Sequence, residues 1–184
     1  MATLPLCSFA AIIPNMRRAN IVLTGFMGTG KSTVGRLIAK QLAYDFVDTD
    51  EWIEAEDGRS IADIFREAGE AAFRQLERTA ALTFAKMDGM VIATGGRLML
   101  DEGNAAALME NGRVFCLVAE PEEIVARVSA GEKRPLLNVP DPAARVQELL
   151  NQRREAYGRF PPISTTGKTP AEVAQEIVDE MREV

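Results

Sequence analysis

The residues best suited to chemistry begin with an unbroken run. Gly25-Phe26-Met27-Gly28-Thr29-Gly30-Lys31-Ser32 fits the GxxxxGKS phosphate-binding pattern at every required position. Its glycines let the backbone curl so that successive N–H groups point inward at phosphate oxygens. Lys31 can reach the β- and γ-phosphates, and the Ser32 hydroxyl can ligate Mg²⁺. The β-branched, apolar Ile21-Val22-Leu23 precedes the run, and Val34, Leu37, Ile38 and Leu42 follow it at helical spacing. The loop therefore lies between a buried strand and a helix start, whose dipole adds to the pull on an anion. A glycine-rich turn that met Lys-Ser by accident would explain neither flank. These residues imply binding of a nucleoside triphosphate, with Gly28, Thr29, Gly30, Lys31, Ser32 and Thr33 as the candidate contacts.

Asp48-Thr49-Asp50 is the second constellation. Two positions apart at a strand end, the carboxylates can point the same way. One could hold a water of the Mg²⁺ shell and the other accept a proton from an attacking hydroxyl. In isolation such acids more often cap the next helix, but a phosphate loop upstream favours the catalytic reading, because phosphoryl transfer needs these groups. The arginines are less telling one by one. Arg74 lies one turn before Glu77, an ordinary helix-surface pair taken alone. Arg134 sits in a Pro/Gly-rich stretch, and Arg153 and Arg154 lie on an amphipathic helix, where solvated side chains are the default. They gain weight only together with the loop and the acid pair.

Composition narrows the chemistry. The chain has 184 residues, 47% of them hydrophobic, enough for one compact core. No apolar run approaches the ~20 residues of a membrane span. A net charge of −6 argues against a nucleic-acid partner and requires that any anionic second substrate meet a locally basic pocket. The two cysteines, Cys7 and Cys116, form neither a disulfide framework nor a metal-ligand spacing; Cys116 lies within the apolar run 114–118 as a small buried hydrophobe. Absence of histidine excludes histidine-based triads and disfavours a zinc site. What remains is carboxylates, lysine, arginine and the metal that accompanies the nucleotide, in a protein expected in the cytoplasm. Residues 1–15 lack the basic start of a secretory signal and are expected to form a disordered tail, with Met16 as a plausible alternative start. Residues 16–184 are expected to be a single domain.

The positioning elements alternate. Strands are expected at 21–24, 46–47, 90–93, 114–118 and 162–166. Helices are expected at 31–42, from the Asp48-Thr49-Asp50 segment to Gly58, from a Ser60-Ile-Ala-Asp63 cap to near Gly69, at 70–86, and at 104–110 with an Asn111-Gly112 stop. Further helices start at Pro121, run from Asp141-Pro142 to Tyr157, and start at Thr169-Pro170. Residues 129–140, with Gly131, Pro135 and Pro140, break the pattern and are long enough for a lid. This order implies a parallel sheet covered on both faces, with ligands at the carboxyl ends of the strands, where 25, 48–50 and 94–97 all fall.

From about residue 19 to the C-terminal helix, the chain resembles shikimate kinases. The resemblance is carried by Gly25–Gly35, Phe46-Val-Asp-Thr-Asp50, Ser60–Phe65, Gly69-Glu70-Ala-Ala-Phe73-Arg74-Gln-Leu-Glu77, Gly95-Gly96, Arg134-Pro-Leu-Leu137 and Arg153-x-x-x-Tyr157. The loop alone is widespread; the set in this order is much narrower. The resemblance implies a three-layer α/β/α P-loop kinase fold, nucleoside-monophosphate-kinase-like, with a five-stranded parallel sheet. It implies transfer of the ATP γ-phosphate to the 3-hydroxyl of shikimate by a monomer needing Mg²⁺ and neither nucleic acid nor membrane. It further implies that Lys31 and Ser32 serve phosphates and metal, with Asp48 helping through water, and that Asp50 orients the hydroxyl and takes its proton. Arg74, Arg153 and the backbone at Gly95-Gly96 would hold the acid, Arg134 would close over the phosphates, and Arg127 would lie against adenine. One position departs: Arg97 stands where the family has a third glycine. It could point away, add a contact to an anionic substrate, or mark a kinase of altered substrate choice. The rival readings are a related P-loop kinase acting on another small acid or a nucleotide, and a non-catalytic nucleotide-binding module. A GTPase switch lacks its Asn-Lys-x-Asp base reader.

Overall fold

A computed structural model describes residues 18–129 and 139–182. The expected tail at 1–15, Cys7, most of the expected lid and Arg134 lie outside the described residues. The sheet is built from β1 (Asn20–Gly25), β2 (Asp45–Asp48), β3 (Met90–Ala93), β4 (Gly112–Val118) and β5 (Pro162–Ser164). All four pairings are parallel, and the order is β2-β3-β1-β4-β5. The expected five-stranded parallel sheet is thus present, with β1 at its centre.

The period of two along the strands divides the core into two layers. Ile21 and Leu23 of β1, Val91 of β3, and Phe115 and Leu117 of β4 point to one face. There they meet Val34 and Ile38 of α1 (Lys31–Leu42) and Val173 and Ile177 of α8 (Pro170–Arg182). Val22, Ile92, Val114 and Cys116 point to the other face. They pack on α2 (Thr49–Asp57), α3 (Ile61–Glu67), α4 (Gly69–Phe84), α5 (Glu102–Met109), α6 (Pro121–Ser129) and α7 (Pro142–Tyr157) through residues such as Ile53, Ile64, Phe84, Leu108, Ile124 and Leu149. Every residue of β1 is buried, so its Ile21-Val22-Leu23 segment is apolar without alternation.

Local chemistry sets the element ends. Ser60 caps α3 by accepting from the Asp63 N–H at 3.1 Å. Asp141 and Pro142 open α7, Asp141 accepting from the Ala144 N–H at 3.0 Å. The helix expected at 104–110 instead spans Glu102–Met109, because Asp101 caps it through the Asn104 N–H at 2.9 Å. Gly112, expected as its stop, is the first residue of β4. A short 3₁₀ turn, Leu98–Leu100, follows β3 and went unforeseen; its Leu98 and Met99 are buried. Among the described residues, no helix is long and apolar enough to cross a membrane.

Candidate active site

Two cavities of about 610 Å³ each open at the carboxyl ends of the strands. The first surrounds the phosphate loop. Gly25 turns the chain there with φ 131°, and a Cβ on it would run into the Leu117 carbonyl, so the loop leaves β1 through a space only glycine fits. Helix α1 starts with neither a side-chain cap nor an acid in its first turn, which leaves its positive end to a ligand. Lys31 Nζ lies 3.0 Å from the carbonyl oxygens of both Gly25 and Phe26, spanning the loop it belongs to. Gly28, Gly30, Ser32 and Thr33 line the cavity. Thr29 also lines it but is buried, its hydroxyl donated to the Phe26 carbonyl at 2.8 Å, so it braces the loop.

Asp48 and Asp50 both line this cavity, but the strand period does not relate them. Asp48 ends β2, whereas Asp50 lies in the first turn of α2. Asp48 caps the helix and also reaches the phosphate loop. One of its oxygens caps α2 through the Asp50 N–H at 3.0 Å, and the other accepts the Ser32 hydroxyl at 2.5 Å. Arg127 joins the far wall: it donates to the Thr165 carbonyl at 2.8 Å and the Thr165 hydroxyl at 2.9 Å, and pairs with Glu123. It thereby ties α6 to the segment after β5, where Lys168 and Pro170 complete the wall. The sequence singled out neither Thr165 nor Lys168; their only signal was their place just after a strand end.

The second cavity is bounded by α3, α4, α7 and the turn after β3. Arg74 enters it from α4, but its pair with Glu77 is no surface pair. Glu77 is only 2% exposed, and its carboxylate takes Arg74 Nη1 at 2.5 Å. Burial pushes the Glu77 carboxyl up from its usual range, against the pull of Arg74. Arg153 faces inward while Arg154 is exposed. The Arg153 guanidinium sits 5.1 Å from the Phe26 ring centroid and donates to the Gly96 carbonyl at 3.3 Å. Tyr157, one turn on, donates its hydroxyl to that carbonyl at 2.6 Å; burial pushes the phenol up, against the pull of Arg153, so it stays a donor.

The backbone at Gly95-Gly96 is partly spoken for. The Gly95 N–H donates to the Thr49 hydroxyl at 2.8 Å, and its carbonyl accepts from the Leu98 N–H at 3.2 Å. The Gly96 N–H is the group left for a ligand. Gly95 is tight for a different reason: a Cβ there would fall on the Asp50 carboxylate. Arg97 has an ordinary φ of −121°, so the backbone does not demand a third glycine. Cys116 is an inert core thiol, its pKa pushed up to about 11 by burial.

The two cavities share Met27, Asp50, Gly96 and Arg153. A carboxylate thus stands at the junction between a phosphate cradle and an arginine-lined pocket. The shikimate kinase family model matches residues 27–182. The chain belongs to the shikimate kinase family. A shikimate kinase of Caldanaerobacter subterraneus subsp. tengcongensis is 45% identical over 86% of this chain and 94% of its own length. One from Thermodesulfovibrio yellowstonii is 44% identical over 88% and 94%. A solved shikimate kinase of Acinetobacter baumannii in complex with shikimate superposes with a TM-score of 0.83 at 33% identity, covering 90% of this chain and 94% of that one. The expected P-loop kinase architecture is therefore that of the shikimate kinase family.

Proposed function

We propose that the first cavity holds ATP and the second holds shikimate, with the 3-hydroxyl presented to the γ-phosphate at their junction. As a shikimate kinase family member the chain is an ATP-dependent transferase acting on shikimate. The observation that carries the residue-level reading is the place of Asp50, on the wall of both cavities. From there its carboxylate can orient the hydroxyl and accept its proton as the phosphoryl group leaves ATP. Lys31 and the N-terminal N–H groups of α1 hold the phosphates, and Arg127 bounds the base end of the cavity. Arg74 and Arg153 present guanidinium groups to the shikimate carboxylate, and the Gly96 N–H donates to an oxygen of the same ligand. Arg134 is assigned to the transferring phosphoryl group by the Arg134-Pro-Leu-Leu137 motif.

The metal fits the donors present. Ser32 Oγ and Asp48 Oδ2 are hard oxygen donors brought together beside the loop, and no cluster of three acid, cysteine or histidine side chains suited to a dedicated metal site occurs among the described residues. Such a pair suits Mg²⁺ carried in with the nucleotide, Ser32 directly and Asp48 through water; the ion neutralises phosphate charge. Asp48 meanwhile keeps the first turn of α2, and with it Asp50, in place.

The test is ADP release from ATP and Mg²⁺ with and without shikimate, set against a panel of other small hydroxy acids. Release that rises with shikimate alone is the expected result. Release that ignores shikimate, or follows another acid instead, rejects the proposed acceptor.

A further inference from the structure

Arg97 does not point idly into solvent. Its Nη1 donates to Glu70 Oε1 at 3.1 Å, and the same oxygen receives Arg74 Nε at 3.2 Å and Arg74 Nη2 at 3.0 Å. One carboxylate oxygen is thus shared by two guanidinium groups on the wall of the acceptor cavity. With Glu77 on Nη1, every nitrogen of the Arg74 fork already touches a protein carboxylate. A substrate carboxylate needing that fork must compete with Glu70, which has the same chemistry and is tethered beside it.

The charge balance makes this competition consequential. Arg145 is paired with Glu148, which leaves Arg74, Arg97 and Arg153 facing Asp50, Glu70 and Glu77 in the second cavity. Without Arg97 the arginines lining the cavity, Arg145 included, would only equal its acids, in a pocket meant for an anion.

We propose that Arg97 is a positioning residue for the acceptor: it holds Glu70 as an alternative partner and so frees the fork of Arg74 for the substrate carboxylate. The proposal rests on the reading of the second cavity as the shikimate site. Arg97 and Glu70 are each about half exposed, with side-chain exposures of 53% and 55%. Their interaction is therefore a modest one, and its effect is on the order of threefold to fivefold in binding.

The test compares Arg97→Gln, Glu70→Gln and the double variant with the wild type at low ionic strength, measuring kcat and KM for shikimate and for ATP. Arg97→Gln is expected to raise the shikimate KM by about threefold to fivefold while kcat and the ATP KM stay within about twofold. In the Glu70→Gln background, where no competing carboxylate remains, the same change should move the shikimate KM less than about twofold. Arg97→Lys should restore most of the loss, because a point charge suffices to hold Glu70. A shikimate KM unmoved by Arg97→Gln overturns the proposal. So does an equal rise in the Glu70→Gln background, which would mean direct contact with substrate, or a fall in kcat with both KM values unchanged. A wild type without shikimate-dependent turnover would instead reject the assignment of the acceptor site itself.

Discussion

The two halves of the site are built on different principles. The donor cavity is built around one consecutive run, 27–34, whose backbone N–H groups are fixed by one turn and one helix start, with Arg127 and Lys168 on its far wall. The acceptor cavity is made from side chains on α2, α3, α4, α7 and the turn after β3, held by ion pairs between Arg74, Glu70, Glu77 and Arg97. The tight glycines show the same divide. At Gly25 an added Cβ would meet the Leu117 backbone, which cannot yield, whereas at Gly95 it would meet the end of the Asp50 side chain, which can. The donor half is therefore rigid by covalent geometry. The acceptor half is adjustable, and its precision depends on charges that could pair otherwise.

The sharpest way to separate the halves is at their junction. Asp50→Asn keeps shape and the helix start but removes the proton acceptor. Turnover should fall by about 10²- to 10⁴-fold, while ATP affinity, measured by titration calorimetry, stays within about threefold because the loop is untouched. Full turnover in this variant would reject the role given to Asp50. An equal collapse of ATP binding would show that the halves are not separable.

Gly95→Ala tests the adjustable side without removing any functional group. The new methyl should displace the Asp50 carboxylate by a fraction of an ångström or more, lowering kcat by about 10- to 100-fold, since small misplacements of reacting groups are costly. The unfolding midpoint should change little, because the obstructing atom is a side-chain tip. Unchanged kcat would mean that Asp50 has room to recover its place.

The same contrast explains how much of the fold and the site is legible in the sequence. The phosphate loop, the central strand and α1 were legible because local chain order alone specifies them: a glycine pattern, a β-branched run and a helical stripe. The sheet and its ligand-bearing edge followed from alternation of elements. Asp48 and Asp50 were found for partly the wrong reason. The period of two would hold had β2 continued, but Asp48 itself caps a helix that starts at Thr49, so Asp50 is placed by the helix. The acceptor half was legible only through its resemblance to the family. Nothing local reveals that Glu77, spaced from Arg74 like any surface partner, is buried, or that Arg97 reaches Glu70 across 27 residues. Such contacts depend on where α4 docks, which is tertiary information. Arg153 and Tyr157 stand between these extremes, their four-residue spacing being a visible sign that they share a helix face.

The smallest effect concerns the buried acid beneath Arg74. Burial, opposed by Arg74, raises the Glu77 carboxyl above its ordinary value in the folded chain. Between the ordinary and the raised pKa, the folded state then holds more protons than the unfolded one. The contribution of this group is fully present below the ordinary carboxylate range and is lost as pH rises through the folded value. Glu77→Gln cannot titrate and lacks this slope. Comparing thermal midpoints of the two proteins between about pH 4 and pH 7.5, the wild type's advantage over Glu77→Gln should shrink as pH rises. At this chain length each 1 kcal/mol corresponds to about 2–4 °C, so the change should be small but measurable. A difference that widens with pH would mean that Arg74 outweighs burial and holds Glu77 charged more firmly than water does. The acceptor half would then be preorganised by a strong ion pair, as the donor half is by its backbone, and the divide between the two would narrow.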